Sequence, residues 1–419
     1  MYGEFIWGYS LTSGIPVKKL CLGIGKRGKH MAKAYLVKGK EKRVEYGHPW
    51  IFRSDIERIE GSFENGDVVD ILSQKGKFLG RGYINLNSQI SIRMLTSKHE
   101  DINYDFLYRR IQAAWEFRKK VADTDSCRVV FAESDFIPAL IVDKFADYLV
   151  VQTLSLGIDK YKNEISDILD NLLRPAGIYE RNDVPVRELE GLGQTKGFLK
   201  GRFDTNIVMI ENGIKFAVDV ENGQKTGYFL DQKENRAAIR PYVRGARVLD
   251  CFCHTGSFSI HAACYGATEV LGIDISSHAV ECAEQNARLN NLESICRFEV
   301  SNAFDKLREF HDTGEKFDVV ILDPPAFAKS RGAIEGAIRG YKEINLRAMK
   351  ILSDSGFLIT CSCSHHISRD LFMEIIYNAS IDAKRKVRLL EFRTQAKDHP
   401  ILLASEETQY LKCAILHVV

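Results

Sequence analysis

The sequence predicts an α/β fold: a doubly wound, mostly parallel sheet with helices on both faces, preceded by a small β-barrel and an α+β segment. Three observations predict it. From residue 247 onward, short apolar strands alternate with helix-period segments, and acidic or polar residues stand at the strand exits. From 32 to 97, short alternating strands are punctuated by Gly61, Gly66, Gly76 and Gly80. From 98 to 204, amphipathic helices are interleaved with hairpin signals, which gives the α+β segment.

At 419 residues the chain has room for two to four domains. Its 58 Lys and Arg against 56 Asp and Glu leave a formal net charge of +2, which excludes a histone-like binder but not a local basic groove. Ten cysteines follow no secreted framework, and neither a signal peptide nor a long apolar span is evident. A reduced, cytoplasmic chain with no membrane partner is expected.

Residues 1–30 are poor in acids, carry Lys18, Lys19, Lys26, Arg27 and Lys29, and show no periodicity. They read as a basic tail, disordered or a non-native extension, with Met31 as the natural start; the alternative is a basic arm on nucleic acid. In 32–97, Gly47-His48-Pro49-Trp50 lies near a basic cluster of Lys38, Lys40, Lys42 and Arg43. A half-buried barrel with such an edge binds RNA through its backbone or is a stability module. Trp50 reads as a core anchor. In 98–204, a helix at 104–122 carries Arg109, Arg110, Arg118, Lys119 and Lys120. A hairpin at 139–154, a helix at 160–173 and a strand at 178–180 follow. Arg181, Arg187 and Lys196 flank the next loop, enough charge to line an RNA cleft, although charged faces are more often simply solvated.

The third segment, 205–419, opens with a hairpin around Asn212-Gly213. The polar loop 222–232 is no phosphate loop, because Gln224 rather than glycine precedes Lys225-Thr226; it is expected to drape over a cofactor. Val248-Leu249 then run into Asp250, a loop with Gly256, a small-residue helix and a strand ending at Asp274. One glycine and an opening acid do not make the dinucleotide fingerprint. An acid here repels a pyrophosphate but suits a ligand bearing ammonium and sulfonium charges, and Asp274 is placed to accept from ribose hydroxyls. S-adenosylmethionine satisfies both acids; NAD satisfies only the second.

Ser276 caps the next helix, and the strand 296–300 ends at Asn302. The strand 316–322 delivers Asp323-Pro324-Pro325-Ala326-Phe327. After a helix at 334–353, the strand 356–361 passes into Ser362-Cys363-Ser364-His365-His366. A helix at 368–383 and strands at 387–392 and 410–417 follow, the last expected antiparallel at the sheet edge. Asp323 is suited to the ring edge of a base and Phe327 to stacking. A thiolate from Cys363 adding to carbon 6 of a pyrimidine makes carbon 5 nucleophilic. Cys361 shares its strand face, and the plain alternative is two buried small hydrophobes. The pairs Cys251-x-Cys253 and Cys361-x-Cys363 are spaced too tightly for a zinc knuckle, so no metal is expected.

With these motifs in place, the chain over 32–419 resembles the class I S-adenosylmethionine-dependent methyltransferases that form 5-methylcytosine in large-subunit (23S) ribosomal RNA, the RlmI type. Gly47-His48-Pro49-Trp50 is similar to the family's N-terminal PUA domain. The segment 225–232, Arg339-Gly340-Tyr341-Lys342 and Asp398-His399-Pro400 also match. The resemblance implies a Rossmann-like catalytic domain, with cofactor contacts from Gln224, Thr226, Phe229, Asp250, Phe252, Gly256, Asp274, Asn302 and Asp323. It implies Cys363 as nucleophile with Asp323 beside the ring, and ribosomal RNA as partner. A homodimer is the oligomer considered. Where the family often has Gly-Leu after Ser-Cys-Ser, His365-His366 stand here, and the base that removes the carbon-5 proton is unassigned. The competing readings are nitrogen methylation of guanine or adenine, which Asp-Pro-Pro-x-Phe also resembles, and a non-catalytic RNA-binding assembly factor.

Overall fold

The computed structural model describes residues 31–328 and 330–419; the tail reading of 1–30 falls outside the described residues. The chain forms two compact units. One gathers the residues up to 205 with 220–228 and 398–408, and the other holds 206–219, 229–397 and 409–419.

The first unit contains two sheets. β1 (Lys33–Leu36), α1 (Glu41–Glu45), β2 (Trp50–Ile51), β3 (Ile56–Glu60), β4 (Val68–Leu72), β5 (Phe78–Ile84) and β6 (Ile92–Thr96) build the first, in the order β2-β6-β5-β4-β1-β3. Its core is Ala34, Leu36, Ile51, Val69, Ile71, Ile84 and Ile92, the inward residues of alternating strands. Gly82 lets β5 and β6 approach, since a Cβ there would lie 2.2 Å from the Arg93 carbonyl oxygen. Trp50 is buried, and its indole N–H donates to Glu133 Oε1 at 2.8 Å.

The second sheet follows α2 (Tyr104–Val121) and comprises β7 (Ser126–Phe131), β8 (Leu140–Phe145), β9 (Tyr148–Thr153), β10 (Gly177–Asn182) and β11 (Thr195–Lys200), with α3 (Leu156–Asp159) and α4 (Lys162–Leu173) between β9 and β10. Strands run in the order β11-β10-β9-β8-β7. β7 escaped the sequence reading because it is buried at all six positions and so shows no alternation. β11, Thr-Lys-Gly-Phe-Leu-Lys, is a polar edge strand.

Three of the basic residues read as RNA-cleft charge are buried in internal ion pairs, while Arg109, Lys119, Lys120 and Lys196 are exposed. Arg118 is fully buried and bonds both Asp135 oxygens and the Asp398 carbonyl. Arg181 pairs with Asp183 and Arg187 with Asp159, both guanidinium groups buried. Asp398-His399 proves to be an anchor in the same unit. Asp398 Oδ2 accepts from the Arg128 N–H at 2.9 Å, and its Oδ1 meets His399 Nδ1 at 2.7 Å.

In the second unit the hairpin β12 (Asn206–Glu211) and β13 (Ile214–Asp219) stands apart from the main sheet. Then come α5 (Lys233–Ala238), α6 (Arg240–Val243), β14 (Arg247–Cys251), α7 (Ser257–Cys264), β15 (Glu269–Asp274), α8 (Ser277–Leu289), β16 (Cys296–Val300) and α9 (Ala303–Thr313). β17 (Phe317–Leu322), α10 (Ile334–Ile351), β18 (Leu352–Ser362), α11 (Arg369–Ala383), β19 (Val387–Arg393) and β20 (Lys412–Val418) complete it. The strand order is β16-β15-β14-β17-β18-β20-β19. The first five are parallel, and β20 is antiparallel to both neighbours.

Expected at the edge, β20 instead lies inside, and β19 holds the edge. Composition explains the exchange: six of the seven β20 residues are buried, whereas β19 is exposed or half-exposed throughout. The order reverses at β14, and ligands bind at such a switch point, beyond the strand carboxyl ends. Leu249, Cys251, Leu322 and Leu358 pack with α9, α10 and α11 in one core. Val248 and Asp250 alternate to the opposite face.

Candidate active site

The cofactor half of the site is built at the exits of β14 and β15. Asp250 is fully buried; its Oδ2 accepts from the Ser259 N–H at 3.0 Å and the Ser259 hydroxyl at 2.6 Å, tying β14 to α7. Its Oδ1 has no partner among the described residues. Burial pushes this carboxyl up to about 7, with the charges of Asp323 and Asp274 adding to the shift. A buried acid with one empty acceptor in a field of other acids fits a cationic, hydrogen-bond-donating ligand.

Phe252, His254 and Gly256 all take positive φ, so the loop turns tightly. Gly256 is required twice: φ is +74°, and a Cβ would lie 2.9 Å from Ala283 Cβ. Asp274 accepts from the His254 N–H at 2.9 Å through Oδ2 and from the Ser276 N–H at 3.0 Å through Oδ1. These bonds fix the carboxylate without burying it. Phe229 meets His254 edge to face at 5.1 Å. The Asn302 side chain accepts from the Phe304 N–H and caps α9, a structural task the sequence reading had not given it.

Gln224 and Thr226 belong to the first unit. The Thr226 hydroxyl is buried and donates to Asp143 Oδ2 at 2.6 Å, so it tethers its own loop. Gln224 is exposed.

The residues expected to be catalytic lie at the exits of β17 and β18, which pair in parallel. Asp323 Oδ1 accepts from Gln232 Nε2 at 2.9 Å, and Gln232 Oε1 in turn accepts from Asn235 at 2.7 Å. Both amides are buried. Gln232 was expected only as part of a matching segment; its role as the support of Asp323 appears only in three dimensions. Cys363, half-buried just past β18, places its sulfur 3.9 Å from the Pro324 carbonyl oxygen, so it faces the Asp-Pro-Pro turn. Cys361 is fully buried, and its hydrogen bond with Cys413, together with burial, pushes its thiol well up. The two cysteines are thereby told apart: Cys361 is packing.

Phe327 is not the free stacking face expected. It packs at 4.6 Å from Tyr341, with Phe304 and Phe252 around it. Gly340 makes room, since a Cβ there would approach Phe327 to 3.1 Å. Tyr341 is the residue whose role sequence reasoning missed, although its motif was noticed. Fully buried, its hydroxyl lies 3.0 Å from both Ser362 Oγ and Ser364 Oγ and so clamps the two serines flanking Cys363. Ser364 Oγ also accepts from the Ala328 N–H at 3.2 Å. Tyr341→Phe is expected to cost about 1–3 kcal/mol of stability, because two buried hydroxyls lose a partner. A several-fold fall in kcat should accompany it; urea unfolding and steady-state kinetics measure both.

Among the described residues, no group of three or more His, Cys, Asp and Glu converges as a metal set, and no helix is long and apolar enough to cross a membrane.

Known proteins share the domains and the fold of this chain. Residues 34–97 match a PUA-like domain model and 195–399 an S-adenosylmethionine-dependent methyltransferase model. A methyltransferase complexed with SAH superposes with a TM-score of 0.80 at 21% identity, covering 92% of this chain and all of that one. A provisional SAM-dependent methyltransferase from Streptococcus mutans gives 0.78 over the same share. Fold and models together define the class: an S-adenosylmethionine-dependent methyltransferase with a PUA-like domain. The relative from Tolumonas auensis is 43% identical over 92% of this chain and 99% of its own length. Relatives from Aeromonas hydrophila and Escherichia coli are 45% and 40% identical over 91% and 90% of this chain and 98% and 97% of their own. All three are named ribosomal RNA large subunit methyltransferase I, and this chain belongs to that family.

Proposed function

We propose that the protein transfers a methyl group to carbon 5 of a cytosine in large-subunit (23S) ribosomal RNA, with Cys363 as nucleophile and Asp323 beside the ring. The observation that carries this is the Cys363 sulfur, 3.9 Å from the Pro324 carbonyl oxygen at the turn that also presents Asp323. Family membership supplies the substrate class: the relatives' name specifies ribosomal RNA of the large subunit. A cytoplasmic site of action and a homodimer go with this reading. The PUA-like barrel offers exposed Lys38 and Lys42 to an RNA backbone, while Lys40 and Arg43 are engaged with Asp55 and Glu407.

The target base must leave its stack to reach the turn. The Cys363 thiolate adds to carbon 6, and the electrons of the C5–C6 double bond move into the ring, where Asp323 interacts with the base edge. Carbon 5 then takes the methyl. When bound, S-adenosylmethionine would supply that methyl as an electrophilic carbon, its sulfonium becoming a neutral thioether. Loss of the carbon-5 proton returns electrons to the ring, breaks the carbon–sulfur bond and regenerates the thiolate. On the cofactor side, Asp250, Phe252, Gly256, Asp274, Asn302, Phe229 and Asp323 are the proposed contacts.

RNA carrying 5-fluorocytosine tests the assignment, because fluorine cannot leave as a proton does. A covalent protein–RNA adduct, absent in Cys363→Ala, is expected. Methyl transfer that survives Cys363→Ala would point to nitrogen methylation, and no transfer to any RNA would leave an assembly factor.

The raised Asp250 carboxyl adds a pH dependence. Raised means that the neutral form suits the fold, so its contribution to stability is present at low pH and lost as pH rises through about 7. Binding of the cationic cofactor has the opposite sign, since it needs the carboxylate. Affinity is expected to fall about tenfold per unit below that pH. Calorimetric titration of S-adenosylmethionine from pH 5.5 to 8.5 (roughly the span of the transition) checks this, and Asp250→Asn should flatten the profile.

A further inference from the structure

We propose that Lys412 is a positioning residue for the nucleophile: its buried ammonium, clamped on the Ser364 and Tyr410 carbonyls, holds the neighbouring Cys363 sulfur in the thiolate form. The inference rests on Cys363 being the nucleophile and deepens that assignment by naming what activates it.

Lys412 opens β20, directly opposite Ser362 in the antiparallel ladder with β18. Its side chain is 5% exposed. Nζ donates to the Ser364 carbonyl oxygen at 2.6 Å and to the Tyr410 carbonyl oxygen at 2.7 Å. The first of those carbonyls belongs to the residue after Cys363, so the ammonium is held against the turn that carries the thiol. No carboxylate pairs with it among the described residues; carbonyl oxygens alone do not neutralise a buried cation. Burial pulls the ammonium down to about 8, and Cys363 is the acidic group whose charge opposes that fall. Linkage is reciprocal, so a cation favoured by the Cys363 charge must favour that charge in return.

The other titratable groups at this turn do not supply a fixed positive charge. Tyr341 from α10 is buried with its hydroxyl pushed up, hence neutral. Asp323 at the exit of β17 is an acid, and Cys361 and Cys413 on β18 and β20 are thiols. His365 and His366 in the loop itself carry imidazoles, not permanent cations. The thiol proton leaves to water on the half-exposed side of Cys363, while Lys412 keeps its own. A thiolate next to a buried ammonium then stands ready before RNA arrives.

The test reads the thiol without RNA. The rate of Cys363 alkylation by iodoacetamide is followed by peptide mass spectrometry across pH for the full-length protein, Lys412→Gln and Lys412→Arg. The native thiol is expected to titrate below a free cysteine. Lys412→Gln keeps a hydrogen-bond donor but removes the charge, and should alkylate about tenfold more slowly at pH 7, a one-unit rise in the thiol midpoint. Lys412→Arg should restore most of the rate. Identical profiles for the native protein and a folded Lys412→Gln would overturn the proposal. If the glutamine variant does not fold, the native midpoint decides: at or above that of a free cysteine (about 8.5) the idea fails, and below it the idea holds. Neither result depends on the 5-fluorocytosine adduct, so failure here is distinguishable from failure of the methylation assignment.

Discussion

Alanine at position 363 is expected to reduce methyl transfer by roughly 10⁴-fold or more, the scale on which loss of a covalent nucleophile acts. Fold and cofactor binding should be untouched. The residue is half-exposed beyond the end of β18, so truncating it empties no sealed cavity. Asp250 and Asp274 stand on other strands. Thermal unfolding and calorimetric titration of S-adenosylmethionine give the two controls, and transfer of labelled methyl to RNA gives the readout. Equal activity in the alanine variant would remove the thiolate from the mechanism. Cys361→Ala is the useful contrast: that side chain is fully buried against Cys413, and its loss acts on stability.

The largest expected effect on stability comes from the first unit. Glu190 is completely buried; its Oε1 lies 2.9 Å from Arg93 Nη2, and Oε2 accepts from Asn85 at 3.0 Å. Glu190→Ala leaves the Arg93 guanidinium, itself 1% exposed, without its countercharge. Stranding one partner of a buried pair costs about 3–5 kcal/mol, against less than about 1 kcal/mol for an exposed pair such as Lys77–Glu45. Urea unfolding of the two variants, Glu190→Ala and Lys77→Ala, measures the difference. A loss below about 1 kcal/mol at Glu190 would mean that the site relaxes or admits water.

Much of the second unit was legible because its strands are short apolar runs between capped helices. Ser276 and Ser368 cap α8 and α11 as their positions imply, each accepting a backbone N–H three residues on. The acids at 250 and 274 and the Asp-Pro-Pro turn stand at strand exits because parallel strands all deliver their carboxyl ends to one side. Period-based reading failed where burial erased the period, as in β7, or where a strand lay exposed, as in β11. It also misplaced β20, because a sequence shows that a strand is apolar but not which neighbours it will separate. Side chains that work through another group were invisible: Gln232 on Asp323 and Tyr341 on the Ser-Cys-Ser turn are long-range bonds between residues 91 and 21–23 positions apart. Lone arginines on helices and loops looked like an RNA surface because the carboxylates that bury them lie on other elements.

The position of β20 bears on how the enzyme comes into being on the ribosome. β19 pairs with β20 and not with β18, so it has no place in the sheet until a later stretch of sequence slides in between. Until then a nascent chain shows an open seam beside the turn that bears Cys363. On the proposal made above, Cys363 gains its ammonium neighbour only when Lys412, seven residues from the end of the sequence, has been synthesised and docked.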